Sequence, residues 1–479
     1  MTVRTFLDGR ITLLCGDSRE MMATLADASV DSIVTDPPYG IGFMGKKWDT
    51  PGALVERKAA TENKWDHVGG NHNPSNSADA ARTARIEGQK FGRWCEEWAR
   101  EAFRVLKPGG HLLAFSGTRT YHRMACAIED AGFEIRDQIG WAYGGGMPKG
   151  LNVGKALEAR IGDLRRDLDG FADKSGCEFD ELSEKLGQLE GALDRVGGWN
   201  TSLKPSWEPI CIARKPLIDT VLANMLAHGV GGLNCDACRI EADARPLHVL
   251  DAKATDSNVY AGRTGEGGLG KGLDGGSKVV GTTDVGRWPA NIIHDGSDEV
   301  MACFPDAPGQ LADASASAPS RRTQNCYGAM KRGNGRDGEA SADRRYTDSG
   351  GTNFAALPGA RRGDSGSAAR FFYTAKADAD DRIGSKHPTV KPVDLMQYLV
   401  RLVTPKNGLV LDPFAGTGTT GEAAWREGMR AVLIEREAEY QDDIARRMDL
   451  VLQPTKRAAV AKTKNKIDDH GPLFGGAQP

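Results

Sequence analysis

Short apolar segments alternate with amphipathic segments at both ends of this 479-residue chain. Near the start, ITLLCGD, SREMMATLAD and VDSIVTDPPYG read as strand, helix and strand. Near the end, LVLDPF, a glycine turn, a helix and MRAVLIE repeat the pattern. This alternation is typical of a parallel α/β sheet with helices on both faces. We therefore predict an α/β fold whose two halves are separated by a long insertion.

The middle of the chain has other patterns. Residues 41–90 are polar and rich in Gly, Asn and Ala, which predicts a loop. One face of the following helix carries Trp94, Trp98, Ala102 and Val105. Between 155 and 197, apolar residues at spacings of three and four predict an antiparallel helical hairpin. The apolar seam would serve the packing of the hairpin itself or, alternatively, a homodimer.

Composition excludes some classes of protein. No run of about 18 apolar residues is present, so we expect no membrane span. The first residues lack the layout of a signal peptide, which predicts a cytosolic (cytoplasmic) protein. Nine scattered cysteines predict free thiols. A net charge of −3 and a pI near 6.3 argue against a simple basic nucleic-acid binder.

Charge is nevertheless unevenly distributed. From Ala314 to Tyr373 there are ten Arg or Lys residues and five Asp or Glu residues. This excess is typical either of a segment that faces DNA or of an ordinary solvated loop.

The sequence Asp36-Pro37-Pro38-Tyr39 ends a predicted strand, where open α/β sheets place their active sites. An exocyclic amine of a nucleobase is a poor nucleophile, because its lone pair is delocalised into the ring. Asp36 and the carbonyl of Pro37 could accept the two N–H bonds of such an amine, and Tyr39 could stack on the base. A plain strand-ending turn is the alternative.

A second turn, Asp412-Pro413-Phe414-Ala415-Gly416-Thr417-Gly418-Thr419-Thr420, follows the strand LVL. Gly416 and Gly418 permit a tight turn that a ligand can approach closely. No Lys follows the second glycine, so a triphosphate loop is not indicated. The next strand ends at Glu435, where an acidic residue typically accepts hydrogen bonds from ribose hydroxyls. A nucleoside cofactor is favoured over phosphate.

Together these segments resemble the amino-methylating DNA methyltransferases of the permuted (beta) group, in which the catalytic motif precedes the cofactor loop. The resemblance covers roughly residues 10–155, 201–240 and 365–450, and DPPY paired with FAGTGTT is its most specific part. CGDSRE and HPTVKP also match the family. GRWPANIIHDG and GDSGSAARFFYTAKAD are similar to phage-type members.

The resemblance implies a Rossmann-like methyltransferase sheet with circularly permuted motif order and S-adenosylmethionine as cofactor. It implies four residues for the target base: Asp36, Pro37, Pro38 and Tyr39. It implies eight for the cofactor: Asp17, Lys391, Asp412, Phe414, Gly416, Gly418, Thr419 and Glu435. A core position is the alternative for Phe414.

The sequence patterns and the resemblance together divide the chain into six parts: a catalytic half (1–154), a hairpin insertion (155–200), a return to the catalytic sheet (201–240), a partly disordered target-recognition region (241–370), a cofactor-binding half (371–452) and a disordered tail (453–479). The hairpin is longer than the usual connection of the family. The target nitrogen is buried in double-stranded DNA, so the base must flip out. The recognition region would then grip and read the duplex. Its candidate DNA-binding residues are Arg321, Arg322, Lys331, Arg332, Arg344 and Arg345.

We therefore predict a site-specific DNA adenine-N6 methyltransferase, since Asp begins the motif where cytosine-N4 enzymes more often carry Ser. Cytosine N4 is the alternative. An RNA or protein amine methyltransferase is a second class, although its motif order is usually the opposite. A DNA-binding protein without catalysis is a third. Whether a restriction enzyme accompanies this protein stays open, and the phage-like similarity favours one that marks DNA alone.

Other chemical signals are weaker. Cys235 and Cys238 have the spacing of half a zinc site. The sequence has no second CxxC or His pair to complete such a site, so we predict no metal. His294 and His387 are predicted to be structural or to form hydrogen bonds, since the reaction needs no strong base. Three cysteines on apolar faces are predicted to lie in the core: Cys15, Cys95 and Cys126.

Overall fold

The computed structural model describes residues 2–41, 49, 77–146, 150–170, 176–242, 245–250, 277–283, 285–306, 322–325, 328–332, 346–347, 366–375, 379–453 and 455–457. The strands of this described part are β1 (Thr2–Phe6), β2 (Ile11–Cys15), β3 (Val30–Thr35), β4 (Leu106–Phe115), β5 (Glu134–Ala142), β6 (Trp207–Arg214), β7 (Arg245–Leu250), β8 (Ser277–Thr283), β9 (Ile292–His294), β10 (Arg322–Asn325), β11 (Gly328–Arg332), β12 (Tyr346–Thr347), β13 (Tyr373–Thr374), β14 (Leu409–Asp412) and β15 (Arg430–Glu435).

The α-helices of the described part are α1 (Ser18–Met22), α2 (Ser77–Val105), α3 (Tyr121–Asp130), α4 (Val153–Asp169), α5 (Cys177–Val196), α6 (Val221–His228), α7 (Asp298–Met301), α8 (Val393–Val403), α9 (Thr419–Arg426) and α10 (Ala438–Val451). Short 3₁₀ helices cover Asp236–Cys238, Ala368–Phe371 and Ala379–Arg382. Within these residues, no helix is both long and apolar enough to cross a membrane.

A ten-stranded sheet organises the larger compact unit, with strand order β1-β2-β15-β14-β3-β4-β6-β5-β9-β13. The pairs from β2 to β4 in this order are parallel, and β6 then runs antiparallel to β4. Helices connect the parallel strands. The predicted Rossmann-like α/β sheet is confirmed, and its parallel centre has an antiparallel neighbour on each side, β1 beside β2 and β6 beside β4.

The centre of the sheet consists of strands that are covered on both faces. All six residues of β3 are buried, as are Val410 and Leu411 of β14 and five of the six residues of β15. Strands of this kind read as continuous apolar runs rather than alternating ones. They lie in the middle of the sheet because only strands flanked by helices on both faces can bury both sets of side chains.

The order of the strands creates a switch point between β3 and β14. From β14 the chain passes to β15 on one side of it, whereas β3 lies on the other side and continues to β4. Ligands of open α/β sheets bind beyond the carboxyl ends of the strands at such a point. The fold therefore brings the ends of VDSIVT and LVLD, and the two turns that follow them, side by side.

Helix α2 packs an aromatic seam against this sheet. Trp94 and Trp98 of the predicted helix face are buried, and so are Ala102 and Val105. The helix begins at Ser77, so the prediction of a loop over 41–90 is wrong for its last part. The alanines of that part have the highest helix propensity and extend the helix backwards.

The smaller compact unit comprises residues 142–207. Within it, α4 and α5 pack against each other, with Ile161 and Leu164 buried and Arg165 paired with Glu190 at 2.7 Å. The Asn152 side chain caps the first turn of α4 by accepting from the Lys155 N–H at 3.0 Å. The two helices occupy the stretch where a hairpin is predicted.

Two parts of the insertion and the tail differ from expectation. β9 pairs in parallel with β13 inside the large sheet, so GRWPANIIHDG contributes to that sheet as well as to the inserted region. The β7–β8 pair and the three strands β10 to β12 form separate small sheets. In the expected disordered tail, Arg457 lies in a helical turn, is 9% exposed and is ion-paired with Glu422. A buried ion pair orders this first turn.

The cysteine prediction is only partly correct. Cys95 is buried, Cys15 is half-buried and Cys126 is exposed. Helix α3 buries Met124, Ala127 and Ile128 instead, which places Cys126 on its solvent face. The apolar stripe of this helix is therefore rotated from the face that the prediction assigns to it.

Candidate active site

The two sequence turns meet because β3 and β14 are parallel neighbours. Val410 pairs with Ser32, and Leu411 pairs with Ile33. At the carboxyl ends of these strands, the Thr35 hydroxyl donates to Asp412 Oδ1 at 2.6 Å. This bond connects the strand before Asp36-Pro37-Pro38-Tyr39 to the first residue of the glycine turn. The motifs thus form one continuous site.

Around Asp36, four polar side chains form a closed ring. The Tyr39 hydroxyl donates to Asp36 Oδ1 at 2.8 Å and lies 3.2 Å from Glu208 Oε2. Lys391 Nζ lies 2.8 Å from Asp36 Oδ2 and 3.0 Å from Glu208 Oε2. Lys391 also lies 3.2 Å from the Tyr39 oxygen. The ring places two carboxylates, one ammonium and one phenol in direct contact.

The ring has a shared electrostatic environment. Burial is the largest cause that raises the pKa of Glu208, and Lys391 opposes it. Burial, followed by the charges of Asp36 and Glu208, raises the pKa of Tyr39 well above its usual value, so the phenol stays protonated. Burial alone would lower the pKa of Lys391, but the two carboxylates outweigh it and raise that pKa. The ammonium is therefore charged at physiological pH.

Backbone geometry sets the position of the Tyr39 ring. A Cβ on Gly117, which follows β4, would lie 3.1 Å from Tyr39 Cδ2. Gly40 has φ +66°, and a Cβ there would lie 2.4 Å from Phe91 Cδ2. The turn after the motif therefore requires glycine at position 40. Pro37 is buried, whereas Asp36, Pro38 and Tyr39 are partly exposed.

The glycine turn has the conformation expected for a close approach by a ligand. Gly416 and Gly418 have φ +51° and +79°, in the left-handed region. A Cβ on Gly418 would lie 3.0 Å from Ile444 Cγ1 of α10. Thr419, which is buried, begins α9, and Thr417 Oγ1 is 3.4 Å from its hydroxyl. The N-terminus of α9 thus follows the turn directly.

Glu435 ends the strand on the other side of β14. Its carboxylate accepts from Gly416 N and from Glu437 N, each at 2.8 Å. Burial raises its pKa to about 7, and the two backbone donors oppose this shift. Glu435 therefore contacts the glycine turn directly and carries a carboxyl that titrates near neutrality.

Asp17 lies at the carboxyl end of the next strand, β2. Gly16 N donates to Glu435 O at 3.0 Å, which aligns the ends of β2 and β15. Asp17 caps α1 by accepting from Arg19 N at 3.1 Å, and the Arg19 guanidinium contacts the same carboxylate. Asp17 is thus near Glu435 along the sheet edge and is already ion-paired.

Two other predicted cofactor residues have internal partners. The Asp412 carboxylate accepts from Thr35, Thr420 and Phe414 N, and burial raises its pKa to about 6. The Phe414 ring lies 5.5 Å from that of Trp94 and 5.6 Å from that of Trp98. Asp412 therefore stabilises the turn through these hydrogen bonds. Phe414 packs against the aromatic core and is partly exposed.

A buried charge network supports the back of the turn. Arg447 of α10 donates to Thr417 O at 2.7 Å and pairs with Glu422 of α9 at 2.7 Å, both side chains being 0% exposed. Arg457 pairs with the other oxygen of Glu422. Although burial acts to raise it, the pKa of Glu422 is lowered by these arginines. The network holds the carbonyl of Thr417 in place.

Sequence reasoning misses Glu208, Arg447 and Glu422. Glu208 belongs to WEPICIAR, whose alternation predicts only a strand. A carboxylate near the start of an otherwise apolar, buried strand is the signal that could have drawn attention to it, because such a charge requires a partner. Arg447 and Glu422 resemble solvated helix residues in the sequence, and only packing buries them.

The remaining predictions concern basic residues of the 241–370 region and two histidines, of which His387 lies against Gly416 of the glycine turn. Arg322 lies in β10, and Lys331 and Arg332 lie in β11, with Arg322 opposite Lys331 in the register. Arg321, Arg344 and Arg345 lie outside the described residues. His294 and His387 form hydrogen bonds with Gly296 N and Thr389 N. Burial lowers the pKa of His387 to about 4, so its ring is neutral.

Cys235 and Cys238 have the spacing of half a zinc site, for which no metal is predicted. Among the described residues, no group of three or more His, Cys, Asp or Glu side chains could hold a metal ion. Cys238 is buried, with its sulfur 3.9 Å from Tyr398 O, and Cys235 is half-buried.

The sequence matches a protein family at the segments that build this site. The family model, N6_N4_Mtase, described as DNA methylase, matches residues 30–161 and 352–446, a little less than half of the chain. The first segment contains β3 and the DPPY turn, and the second contains Lys391, β14, the glycine turn and Glu435.

Individual relatives are similar over part of their length. The type II methyltransferase M.HindIII of Haemophilus influenzae is 28% identical over 225 residues, which are 46% of this chain and 63% of that protein. The type II methyltransferase M.HinfI of the same species is 41% identical over 130 residues, 27% of this chain and 31% of that protein. The chain thus matches less than two thirds of either relative.

Solved structures give weak overall superpositions. PvuII DNA methyltransferase (cytosine-N4-specific) is 12% identical, with a TM-score of 0.38 and coverage of 96% of this chain and 94% of that chain. The M1.HpyAVI–SAM complex is 14% identical, with a TM-score of 0.32 and coverage of 91% and 99%. These TM-scores are too low to support an inference.

Proposed function

We propose that this protein is a DNA methyltransferase that transfers a methyl group from S-adenosylmethionine to the exocyclic N6 of a flipped-out adenine. The observation that carries the proposal is the junction of the two turns. Asp36 and the glycine turn occupy adjacent strand ends, connected by the 2.6 Å bond from Thr35 to Asp412. A base at the first turn and a nucleoside cofactor at the second would therefore meet.

The residues at the glycine turn fit S-adenosylmethionine. Glu435 offers a carboxylate for ribose hydroxyls, and the left-handed glycines leave the backbone open to close approach. The partly exposed Phe414 offers an aromatic edge, and Asp17 lies at the neighbouring strand end. Bound there, the cofactor would supply an electrophilic methyl group on sulfonium.

Asp36 and Pro37 act on the target amine. The Asp36 carboxylate and the Pro37 carbonyl accept its two N–H bonds, so that the nitrogen lone pair is directed at the methyl group instead of into the ring. Tyr39, whose hydroxyl is held by Asp36, presents its ring to the extruded base. Removal of the amine proton follows methylation, since the alkylated nitrogen is acidic and water can accept the proton.

Adenine is proposed over cytosine because the motif begins with Asp36. The alternative product is N4-methylcytosine. The 241–370 region, whose strands β10 and β11 contain Arg322, Lys331 and Arg332, is proposed to contact the duplex.

Incubation of unmethylated plasmid with the protein and S-adenosylmethionine, followed by single-molecule sequencing and nucleoside analysis, tests the function. We expect N6-methyladenine at one short sequence. N4-methylcytosine would replace the adenine assignment while leaving the chemistry intact. No methylated base in DNA, with transfer to RNA or protein instead, would refute the proposed function.

A further inference from the structure

Glu208 is the member of the polar ring that belongs to neither sequence turn. It comes from β6, the antiparallel strand beside β4, and its side chain is 15% exposed. Its Oε2 contacts both Lys391 Nζ at 3.0 Å and the Tyr39 hydroxyl at 3.2 Å. The carboxylate therefore contacts the same two groups that hold Asp36.

The ring contains more negative than positive charge. Lys391 is the ammonium of the ring and is 7% exposed, whereas both Asp36 and Glu208 accept from it. Coulomb attraction is poorly screened where water is excluded. Without Glu208, the ammonium would direct its full charge at Asp36 Oδ2.

An ion pair between Lys391 and Asp36 alone would work against the proposed reaction. Asp36 already accepts the Tyr39 proton at Oδ1 and contacts Lys391 at Oδ2. It must still accept an N–H of the target amine, and its strength as an acceptor falls as more of its charge is neutralised by a cation. A second carboxylate that draws on the same ammonium preserves that strength.

We propose that Glu208 is a positioning residue of the methyl-transfer site, which shares Lys391 with Asp36 and so keeps the Asp36 carboxylate available to the target amine. This inference rests on the proposed function. Glu208 acts through Lys391 and does not itself need to touch the base. The sharing is mutual, because Lys391 also favours ionisation of Glu208 against the effect of burial.

The other end of β6 offers a matched comparison. Arg214 Nη2 pairs with Glu134 Oε2 at 2.6 Å, and Arg214 is 10% exposed at its side chain. This pair also joins a carboxylate and a mostly buried cation through β6, but it lies at the opposite end of the strand from Glu208. Glu134→Gln therefore controls for the loss of a carboxylate that is paired through this strand.

The first test measures single-turnover methyl transfer to duplex DNA by Glu208→Gln and Glu134→Gln, with labelled S-adenosylmethionine. Glutamine keeps the length of the side chain and an oxygen that can accept from Lys391, but it removes the charge. We expect Glu208→Gln to slow the transfer step on the order of 100-fold, a loss typical of a misplaced catalytic group. Cofactor affinity should be unchanged, and Glu134→Gln should behave as the wild type. An unchanged transfer rate in Glu208→Gln would overturn the inference.

The second test compares Lys391→Gln with the double variant Glu208→Gln/Lys391→Gln. If Glu208 acts by sharing Lys391, it has nothing to share once the lysine is gone, so both variants should transfer at the same rate. A purely structural role predicts the opposite, with the double variant slower than each single variant.

These variants separate the inference from the proposed function. If the wild type transfers no methyl group to DNA, the proposed function itself has failed. If the wild type is active and Glu208→Gln is equally active, only the role of Glu208 is refuted. Glu208→Gln could fail to fold because the Lys391 ammonium is left buried with one carboxylate fewer. In that case the comparison of Lys391→Gln with the double variant still distinguishes sharing of Lys391 from a structural role.

Discussion

Asp36 is held from two sides before any substrate is present. Tyr39 donates to one of its oxygens and Lys391 contacts the other, so its orientation does not depend on the ligand. Preorganised acceptors of this kind stabilise charge as it develops, at no cost of rearrangement. The side chains that contact Asp36 therefore determine the chemistry of the proposed reaction.

We expect Asp36→Ala to abolish methyl transfer while S-adenosylmethionine binding largely survives. The substitution removes an acceptor for the amine, whereas the glycine turn and Glu435 remain intact. Single-turnover kinetics and isothermal titration calorimetry measure the two quantities. An equal loss of cofactor affinity would mean that Asp36 holds the cofactor instead.

If Glu435 binds the cofactor as proposed, cofactor binding should depend on pH. Its pKa is raised to about 7 by burial, so the carboxyl is protonated below that pH in the free protein. Ribose hydroxyls donate to the ionised form and would lower this pKa, so binding releases a proton. We expect the affinity for S-adenosylmethionine to rise with pH by at most about tenfold per pH unit until about pH 7. Above that pH the affinity should level off.

Calorimetry in buffers of different ionisation enthalpy measures that proton release directly. Glu435→Gln should bind more weakly and show no such dependence below pH 7. The same slope in Glu435→Gln would assign the titration to another group.

At the scale of elements, the turn between β14 and α9 depends on glycine. Gly418 combines φ +79° with a Cβ position only 3.0 Å from Ile444. Gly428, which follows α9, has φ +76° and nothing within 4 Å of its Cβ position. The two glycines therefore share the backbone strain of a substitution but differ in the steric contact.

We expect Gly418→Ala to weaken cofactor binding and to lower stability by more than Gly428→Ala does. The shared left-handed strain costs roughly 1–2 kcal/mol in each, and the Ile444 contact adds to it at the turn. Thermal unfolding and calorimetric titration of both variants provide the measurement. Equal effects on cofactor binding would mean that the turn conformation does not shape the cofactor site.

At the scale of the whole molecule, the segment that we propose to bind DNA is distant in sequence from the catalytic turn. Arg322 and Lys331 lie opposite each other in the β10–β11 pair, and Arg332 follows. Arginines and lysines that neutralise phosphates release counterions, so the affinity for DNA falls with salt.

We expect alanine at Arg322, Lys331 and Arg332 together to weaken DNA binding and to reduce the slope of log K against log salt by about 0.9 for each phosphate that is no longer neutralised. Arg195→Ala, an exposed arginine on the acidic helix α5, is the control and should leave the slope unchanged. Fluorescence anisotropy at several salt concentrations measures both. An unchanged slope in the triple variant would remove this segment from the interface.

Local patterns in the sequence were sufficient to predict the sheet and the two turns. Continuous apolar runs mark strands covered on both faces, and Pro37 and Gly416 mark where those strands stop, because backbone conformation is dictated by neighbouring residues. Asp36, Tyr39 and Glu435 could be proposed as site residues since each directly follows or ends such a strand.

Tertiary structure alone decided which distant charges meet. Glu208 and Lys391 come from segments far apart in the chain. Glu208 reaches Asp36 because β6 lies beside β4 in the sheet, whereas Lys391 lies just before α8, which contacts β3 and β4. Arg447 is buried only because Glu422 and Thr417 are packed against it. No local pattern encodes such partners, since burial and Coulomb attraction depend on distances in space that the order of strands determines.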